Sequence, residues 1–347
     1  MKLPDVILRL LGQTPARRSG PTVELAFLGD VMLARRVEAR AERDGAEGVL
    51  ADLWPILETA DVRIVNLECA LSTRGARWTP ETKVCHFRAH PALVSALTAV
   101  RISAVSLANN HTLDYGPDAL FETLDVLDRA GIAHAGAGRN EEEAFRPAIF
   151  RAGAVRVAMV AFTNNEPGWA AGPGRPGVAW AHCRPGEPSA QRLCAAVAEA
   201  RRQADLLVVS AHWGGNYGDV PHRHHPRMAR ALFRAGADIV FGHSAHVTRG
   251  VRFARGRVAM FSAGDAVDDY SVRLPDRNDL AFVFCAEVEN GRTVRLRLSP
   301  TAIRDARMTK AGAHDAATAV ARMTRLCRAE GTRTVWDAGH SELILTP

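Results

Sequence analysis

Apolar residues along the chain fall into two patterns: short unbroken runs, and longer segments in which they recur every three or four positions. Val23 to Leu28, Val62 to Val65, Val100 to Leu107, Leu206 to Ser210, Asp238 to Phe241 and Val258 to Ser262 are runs of the first kind, and they predict strands buried on both faces. The second pattern predicts helices near Leu33 to Arg43, Glu47 to Thr59, Pro91 to Val100, Pro117 to Ala130, Pro188 to Ala204 and Pro226 to Ala235. Four of these open on proline, whose fixed φ suits a first helical turn, and Gly131 follows one as a C-terminal stop. Strand and helix alternating in this way predict an α/β fold with parallel strands. Ile132 to Gly138 predicts a short strand, and Phe145 to Val160 two strands parted at Ala152-Gly153. Ala281 to Glu287 and Thr293 to Leu298 predict a hairpin turned at Asn290-Gly291, and Ala313 to Glu330 a last helix. Asn164 to Ala181, rich in glycine and proline and carrying Trp169 and Trp180, has no period and is expected to be a lid or substrate loop. The resulting division is 1–21, a short N-terminal helix and linker; 22–300, the main domain; and 301–347, a helical extension packed on it.

Composition narrows the partners. The chain has 347 residues, is 47% hydrophobic, and can bury a large core. Its net charge is +6, but only Lys2, Lys83 and Lys310 are lysines among 44 basic residues, and the arginines are scattered. With aromatics at 6% and no basic block interleaved with them, nucleic acid is not expected as a partner; small anions or anionic polymers are. The six cysteines form no C-x-x-C pair, so free, mostly buried thiols in a reducing compartment, the cytoplasm, are expected. The apolar run near the N-terminus is broken by Arg9 and is too short to span a bilayer, which leaves a surface helix as its reading. Oligomeric state is not legible.

Chemistry-bearing residues recur just after the predicted strands. The first strand ends at Gly29-Asp30, the second at Asn66-Leu67-Glu68, and the third at Asn109-Asn110-His111. Leu206 to Ser210 delivers His212, and the next strand delivers His243 and His246. The carboxyl ends of strands are where open α/β sheets bind ligands. Each residue also has an ordinary reading: Asp30 as a helix N-cap, the asparagines as turn formers, Glu68 at an exposed strand end, and each histidine as a hydrogen-bonded surface group. All six positions falling at strand ends is what favours a shared site. Carboxylate oxygens, an amide oxygen and imidazole nitrogens together suit Mn, Fe, Zn or Ni rather than a soft thiolate-bound ion. Lys83 and Arg88, in the loop 70–90, are candidates to hold an anion, as are Asn109 and Asn216 to contact substrate.

The ordered set Gly29-Asp30, Asn66-Leu67-Glu68, Ala108-Asn109-Asn110-His111 with Asp114-Tyr115-Gly116, His212-Trp213-Gly214 and Gly242-His243-x-x-His246 resembles the CapA family. This is the bacterial capsule or poly-γ-glutamate synthesis group of the calcineurin-like metallophosphoesterase superfamily. The resemblance spans roughly residues 22 to 300. It implies a four-layer αββα sandwich holding one or two divalent transition-metal ions, Mn, Fe or Zn. By the same resemblance Asp30 is the first metal carboxylate and Glu68 the bridging one. Asn110 is the amide ligand, and His212, His243 and His246 are the imidazole ligands. His111 is the catalytic imidazole, and Asp114 orients it.

Three positions depart from the superfamily pattern: Met32 where a histidine usually follows the first aspartate, Ser244-Ala245 inside the last motif, and Asn216 where a glutamate is common. A thioether is a poor ligand for a hard ion, so the first metal position is expected to be weakened. The leading expectation is a metal-dependent hydrolase of a phosphoester or related anionic bond, with His111 as general acid. Two other readings stand beside it. One is an accessory of capsule, poly-γ-glutamate or peptide-type biosynthesis acting on a γ-glutamyl-type substrate by acyl or amide chemistry; the other is a metal-free binding relative.

Overall fold

A computed structural model describes residues 22–79 and 83–347. The expected N-terminal helix and linker, 1–21, lie outside the described residues. The first third of the chain contributes β1 (Thr22–Val31), α1 (Arg36–Asp44), α2 (Trp54–Leu57), β2 (Val62–Leu67), β3 (Ala70–Leu71), β4 (Arg88–Ala89), α3 (Val94–Ala99), β5 (Ala104–Ser106), α4 (Gly116–Arg129), β6 (Ala133–Ala135), β7 (Ala137–Gly138) and α5 (Glu141–Phe145). The middle adds β8 (Ala148–Ala152), β9 (Val155–Thr163), β10 (Gly177–Val178), α6 (Pro188–Arg201), β11 (Leu206–His212), α7 (His225–Ala235), β12 (Ile239–His243), β13 (Val251–Ala254) and β14 (Arg257–Met260). The chain closes with β15 (Asp265–Val267), β16 (Leu280–Glu289), β17 (Arg292–Arg304), β18 (Arg307–Lys310), α8 (Ala313–Ala329), β19 (Arg333–Asp337) and β20 (Glu342–Thr346).

Two large sheets result. One has the order β19-β20-β17-β16-β1-β2-β5-β6, with β15 beside β1 and β18 beside β17; the other has the order β13-β14-β12-β11-β9-β8. Strands β1, β2, β5 and β6 are parallel, as are β9, β11, β12 and β14, and antiparallel strands flank both sets. Side chains alternate across β1. Val23, Leu25 and Phe27 point into the core shared with β9, β11 and β12, while Ala26 and Leu28 point into the core under α1, α3 and α4. In β11 the same alternation sends Leu206 and Val208 to the shared core and Leu207 and Val209 to α6 and α7. Helix, sheet, sheet, helix is therefore the layer order, the αββα sandwich expected, and the unbroken apolar runs arise because these strands are covered on both faces. Phe27 and Phe241 meet across the two sheets with ring centroids 5.0 Å apart.

The ends of the chain differ from expectation. A boundary at 300 falls inside β17, which runs on to Arg304. Residues 301–347 are not only helical: after α8, the hairpin β19–β20 extends the large sheet, Leu298 pairing with Leu343 and Leu296 with Leu345. This tail is part of the main body. At Asn290-Gly291 both φ values are positive, 53° and 70°, as a two-residue hairpin turn requires. The segment 164–181 is not a lid. Trp169 is buried edge-on against Trp78, and Gly177–Val178 pairs with Ala137–Gly138. The six cysteines are free, four of them buried. No helix among the described residues is long and apolar enough to cross a membrane.

The shared core sets a stability prediction. Phe27→Ala, at a fully buried ring between the sheets, is expected to cost about 3–5 kcal/mol by denaturant unfolding. Val335→Ala, on the exposed face of β19, is expected to stay within about 0.5 kcal/mol.

Candidate metal centre

The parallel strands of both sheets end at one rim, and register brings their terminal residues side by side. Asp30 pairs with Asn66 on β2 and with Asp265 on β15, while His212 pairs with His243. Gly29 makes the first of these alignments possible. Its φ is +83°, and a Cβ there would lie 2.2 Å from the Gly264 carbonyl oxygen, which accepts a bond from the Asp30 amide. On the facing sheet, Ser244 and His246 adopt positive φ, 94° and 56°, strained values of the kind that functional sites retain. The Ser244 amide donates to Asp30 Oδ2 at 3.0 Å, tying the second sheet to the first.

Two groups of ligand-type atoms converge there. Asp30, His212 and His243 form one; Asp30, Glu68, His246 and Asp265 form the other; in each, the donor atoms lie within 4.8 Å of one another. All six side chains are buried. His212 Nδ1 lies 2.9 Å from His243 Nδ1, which in turn is 3.2 Å from Asp30 Oδ1. Asn110 Oδ1 lies 2.8 Å from His212 Nε2 and so joins the first group. His243 Nε2 is held by the Ser210 hydroxyl at 2.7 Å, a support that fixes the ring as outer hydrogen bonds do for imidazole ligands.

The charges in this pocket are unbalanced. Asp30, Glu68 and Asp265 are 1% exposed, and among the described residues no lysine or arginine pairs with any of them. Both Glu68 oxygens are buried without a hydrogen-bond partner. A buried carboxylate oxygen left so is costly unless a cation meets it. Burial and the Asp30 charge push the Glu68 carboxyl well above its ordinary range, and burial with the Asp265 charge does the same to Asp268. Burial also raises the Asp30 carboxyl, but the hydrogen bond to His243 and its charge outweigh this and hold Asp30 low. Burial drives His212 down, whereas at His246 burial is overcome by the Asp265 charge and the pKa rises. These residues fit a divalent cation: oxygen and imidazole donors, a net negative pocket, and orphaned oxygens aimed into it.

The sequence profile of the bacterial capsule synthesis protein family PGA_cap matches residues 24–270. The chain belongs to this family. PGA_cap proteins are related to the metallophosphoesterases, in keeping with the αββα layers and the clustered donors. A probable polyglutamine synthesis accessory protein of Mycobacterium tuberculosis (strain H37Rv) is 33% identical over 303 residues, covering 81% of this chain and 78% of that one. The poly-γ-glutamate (PGA) biosynthesis protein CapA of Bacillus subtilis (strain 168) is 29% identical over 290 residues, covering 83% and 73%. The capsule biosynthesis protein CapA of Bacillus anthracis is 27% identical over 262 residues, covering 73% and 61%.

Asp30, Glu68, Asn110, His212, His243 and His246 are thus brought to one rim of this PGA_cap fold. The carboxylate common to both donor groups is Asp30, where the resemblance puts Glu68; Glu68 Oε1 lies 3.7 Å from His212 Nε2. His111 Nδ1 lies 2.6 Å from Asp114 Oδ2, and the His111 ring stacks on Phe87 at 4.0 Å. The residues expected at the substrate are placed otherwise. Lys83 bonds Asp114 and the Asn110 carbonyl and lies over the Trp169 ring at 4.3 Å. Arg88 donates to the Arg74 and Gly75 carbonyls and stacks on Tyr115. Asn109 is fully buried; its amide donates to Asn66 Oδ1 and the Leu67 carbonyl, and Asn66 in turn donates to Asp30 Oδ1 at 2.7 Å. Asn216 is exposed on the loop after β11. In the histidine-dense stretch, His225 stacks on Trp213 away from the donor groups.

Sequence reasoning missed Asp265 and Asn66 as site residues. The signal for Asp265 is a repeat: Gly264-Asp265 follows an apolar strand just as Gly29-Asp30 does, and the two aspartates lie in register.

Glu68, Asp268 and His246 have pKa values raised above those of the unfolded chain, so each contributes stability that is lost as pH rises through its folded-state pKa in the metal-free protein. Chelator-treated protein is expected to melt at lower temperature at pH 8.5 than at pH 7, with a slope of up to about 1.4 kcal/mol per pH unit for each retained proton. Saturating Mn(II) or Zn(II) raises the melting temperature and flattens this slope, as a calorimetric pH series would show.

Proposed function

We propose that the chain is a metal-dependent hydrolase acting on a phosphoester or a related anionic bond. The observation that carries this reading is the pair of buried donor groups sharing Asp30, with the Glu68 oxygens unpartnered. Asp30, Asn110, His212 and His243 would hold one ion, and Glu68 and His246, again with Asp30, a second. A divalent ion held there supplies Lewis-acid polarisation of the scissile group and an activated water.

The chain's own contribution centres on His111. Its Nδ1 proton is donated to Asp114 Oδ2, which leaves Nε2 to carry the exchangeable proton and, when protonated, to deliver it to a leaving-group oxygen. Burial, followed by the Lys83 charge, pushes the His111 pKa well down, so the ring of the metal-free protein is neutral and Nε2 must first accept a proton before it passes one to the leaving group. Asp114 is the hub: it accepts from Lys83, from the Phe87 amide and from His111. Burial pushes its carboxyl up to about 6, against the pull of Lys83, so at neutral pH it is ionised and orients the ring. Lys83 is here a positioning residue, and the cation left for an anionic substrate is Arg35. Its guanidinium is 40% exposed and paired with Asp269, and it lies 4.8 Å from the centroid of Phe87, the ring that stacks on His111.

The relatives' names support a second reading, a role accessory to γ-linked glutamate polymer or capsule synthesis, in which the bond cleaved is a γ-glutamyl amide. Both readings use the same centre, and the free, mostly buried thiols support a reducing compartment, the cytoplasm, for either. Side-by-side assay of an aryl phosphate and a γ-glutamyl anilide on metal-loaded protein separates them. Turnover of neither substrate, with metal bound, would overturn the hydrolase reading.

Three variants test the residue roles. His111→Ala is expected to lower kcat by about 10²–10⁴-fold with metal content unchanged. Asp114→Asn is expected to lower kcat by about 10–100-fold and to remove an acid limb near pH 6 from the kcat/KM profile. Arg35→Ala is expected to raise KM for the anionic substrate by about tenfold at unchanged kcat.

A further inference from the structure

We infer that Asp265 is a metal ligand that fills the role Met32 cannot, giving the chain two metal positions of different hardness. The inference rests on the metal-centre reading above. Met32 turns away from the rim: it is fully buried in the core under the helices, and its Sδ accepts a bond from the Ala34 amide at 3.1 Å. Its thioether, just past the end of β1, offers no donor suited to a hard ion.

Asp265 offers one from the neighbouring strand. It lies in register with Asp30, is 1% exposed, and puts Oδ1 at 2.9 Å from His246 Nδ1, while the same carboxylate also meets the buried Asp268 carboxyl in a side-chain hydrogen bond. Glu68, also 1% exposed, brings two further oxygens with no partner to the same group. With Asp30 these make three carboxylates and one imidazole within 4.8 Å. An ordinary buried His246–Asp265 ion pair would leave Glu68 unanswered, and a cation answers all three carboxylates together.

The other group is built differently, from one carboxylate, the Asn110 amide and two imidazoles. Imidazole-rich sets favour Zn or Fe, and carboxylate-rich sets favour Mn or Mg. The position containing Asp265 therefore takes Mn(II), and the position containing His212 and His243 takes Zn(II) or Fe(II).

Metal stoichiometry and Mn(II) electron paramagnetic resonance test this without reference to turnover. Full-length protein loaded with Mn(II) and Zn(II) together, then desalted, is expected to keep about one equivalent of each. Asp265→Ala and the shape-conserving Asp265→Asn are expected to lose the Mn(II) signal, with at least about tenfold weaker Mn(II) binding, and to keep Zn(II). His243→Ala is expected to lose Zn(II) and keep Mn(II). Folded Asp265 variants that retain Mn(II) at wild-type affinity overturn the inference, as does wild-type protein that binds only an ion removed by His243→Ala. In both cases the proposed hydrolase stands. Wild-type protein that binds neither metal overturns the inference and the proposed function together.

Discussion

Three carboxylates sealed from water at the meeting of two sheets, with no lysine or arginine among the described residues to answer them, are the constraint on which this rim depends. Removing a carboxylate from water costs several kcal/mol unless something of opposite charge follows it in. Here imidazoles follow, and they balance the negative charge only by taking up protons. Asp30 stands at the centre because it belongs to both sheets: Asn66 Nδ2 holds one oxygen from the first, and the Ser244 amide holds the other from the second. The fully buried amide chain Asn109–Asn66–Asp30 supplies neutral donors in a place where a lysine would have cancelled the charge. The pocket keeps its negative potential by construction. Elsewhere in the molecule carboxylates are paired freely with arginine, as where Arg277 and Arg304 hold Asp279 and Asp315.

Much of this was legible in the order of residues because strand ends are legible. An apolar run covered on both faces has to stop where the chain leaves the layers, and a polar residue directly after it marks the rim. Asp30, Glu68, Asn110, His212 and His243 are all announced in this way, and Asp265 carries the same signal in the twin pattern Gly264-Asp265. What the sequence could not carry is direction. Lys83 in a polar loop reads as a free cation, yet it folds inward to Asp114, and Asn109 reads as a neighbour of the substrate, yet it is bound among backbone groups. The β19–β20 hairpin was invisible for a different reason. Val335 and Trp336 face outward, so the alternation that betrays a half-buried strand is blurred in β19. The segment 164–181 lacked periodicity because its order comes from single contacts. Examples are Trp169 on Trp78, Asn164 Oδ1 accepting from the Gly214 amide, and Asn165 Nδ2 donating to the Ser244 hydroxyl.

Those contacts give the loop a function other than that of a cover. Through Asn164 and Asn165 it braces the turns after β11 and β12 that carry His212 and His243, so the imidazole donors are fixed from outside the sheet as well as by Ser210. A metal position needs its donors held before the ion arrives, since an unfixed imidazole must be ordered at the expense of affinity. The side of the rim that carries His111 is fixed by different means. Phe87 stacks on His111 and donates its amide to Asp114, so one residue positions both the ring and the carboxylate that orients it.

A methionine at position 32 leaves the buried donor groups of the rim in place. A ligand is defined by where its atom lies, and a parallel neighbour in register can supply that atom from another part of the chain. β15 is three residues long: Ala266 and Val267 join the core under the helices, and its register against β1 brings Asp265 to Asp30. A thioether taken into the core under the helices adds apolar packing, while a carboxylate brought in beside His246 adds negative charge to the pocket. The two donor groups of the rim therefore differ in kind, one rich in carboxylate oxygen and the other in imidazole nitrogen.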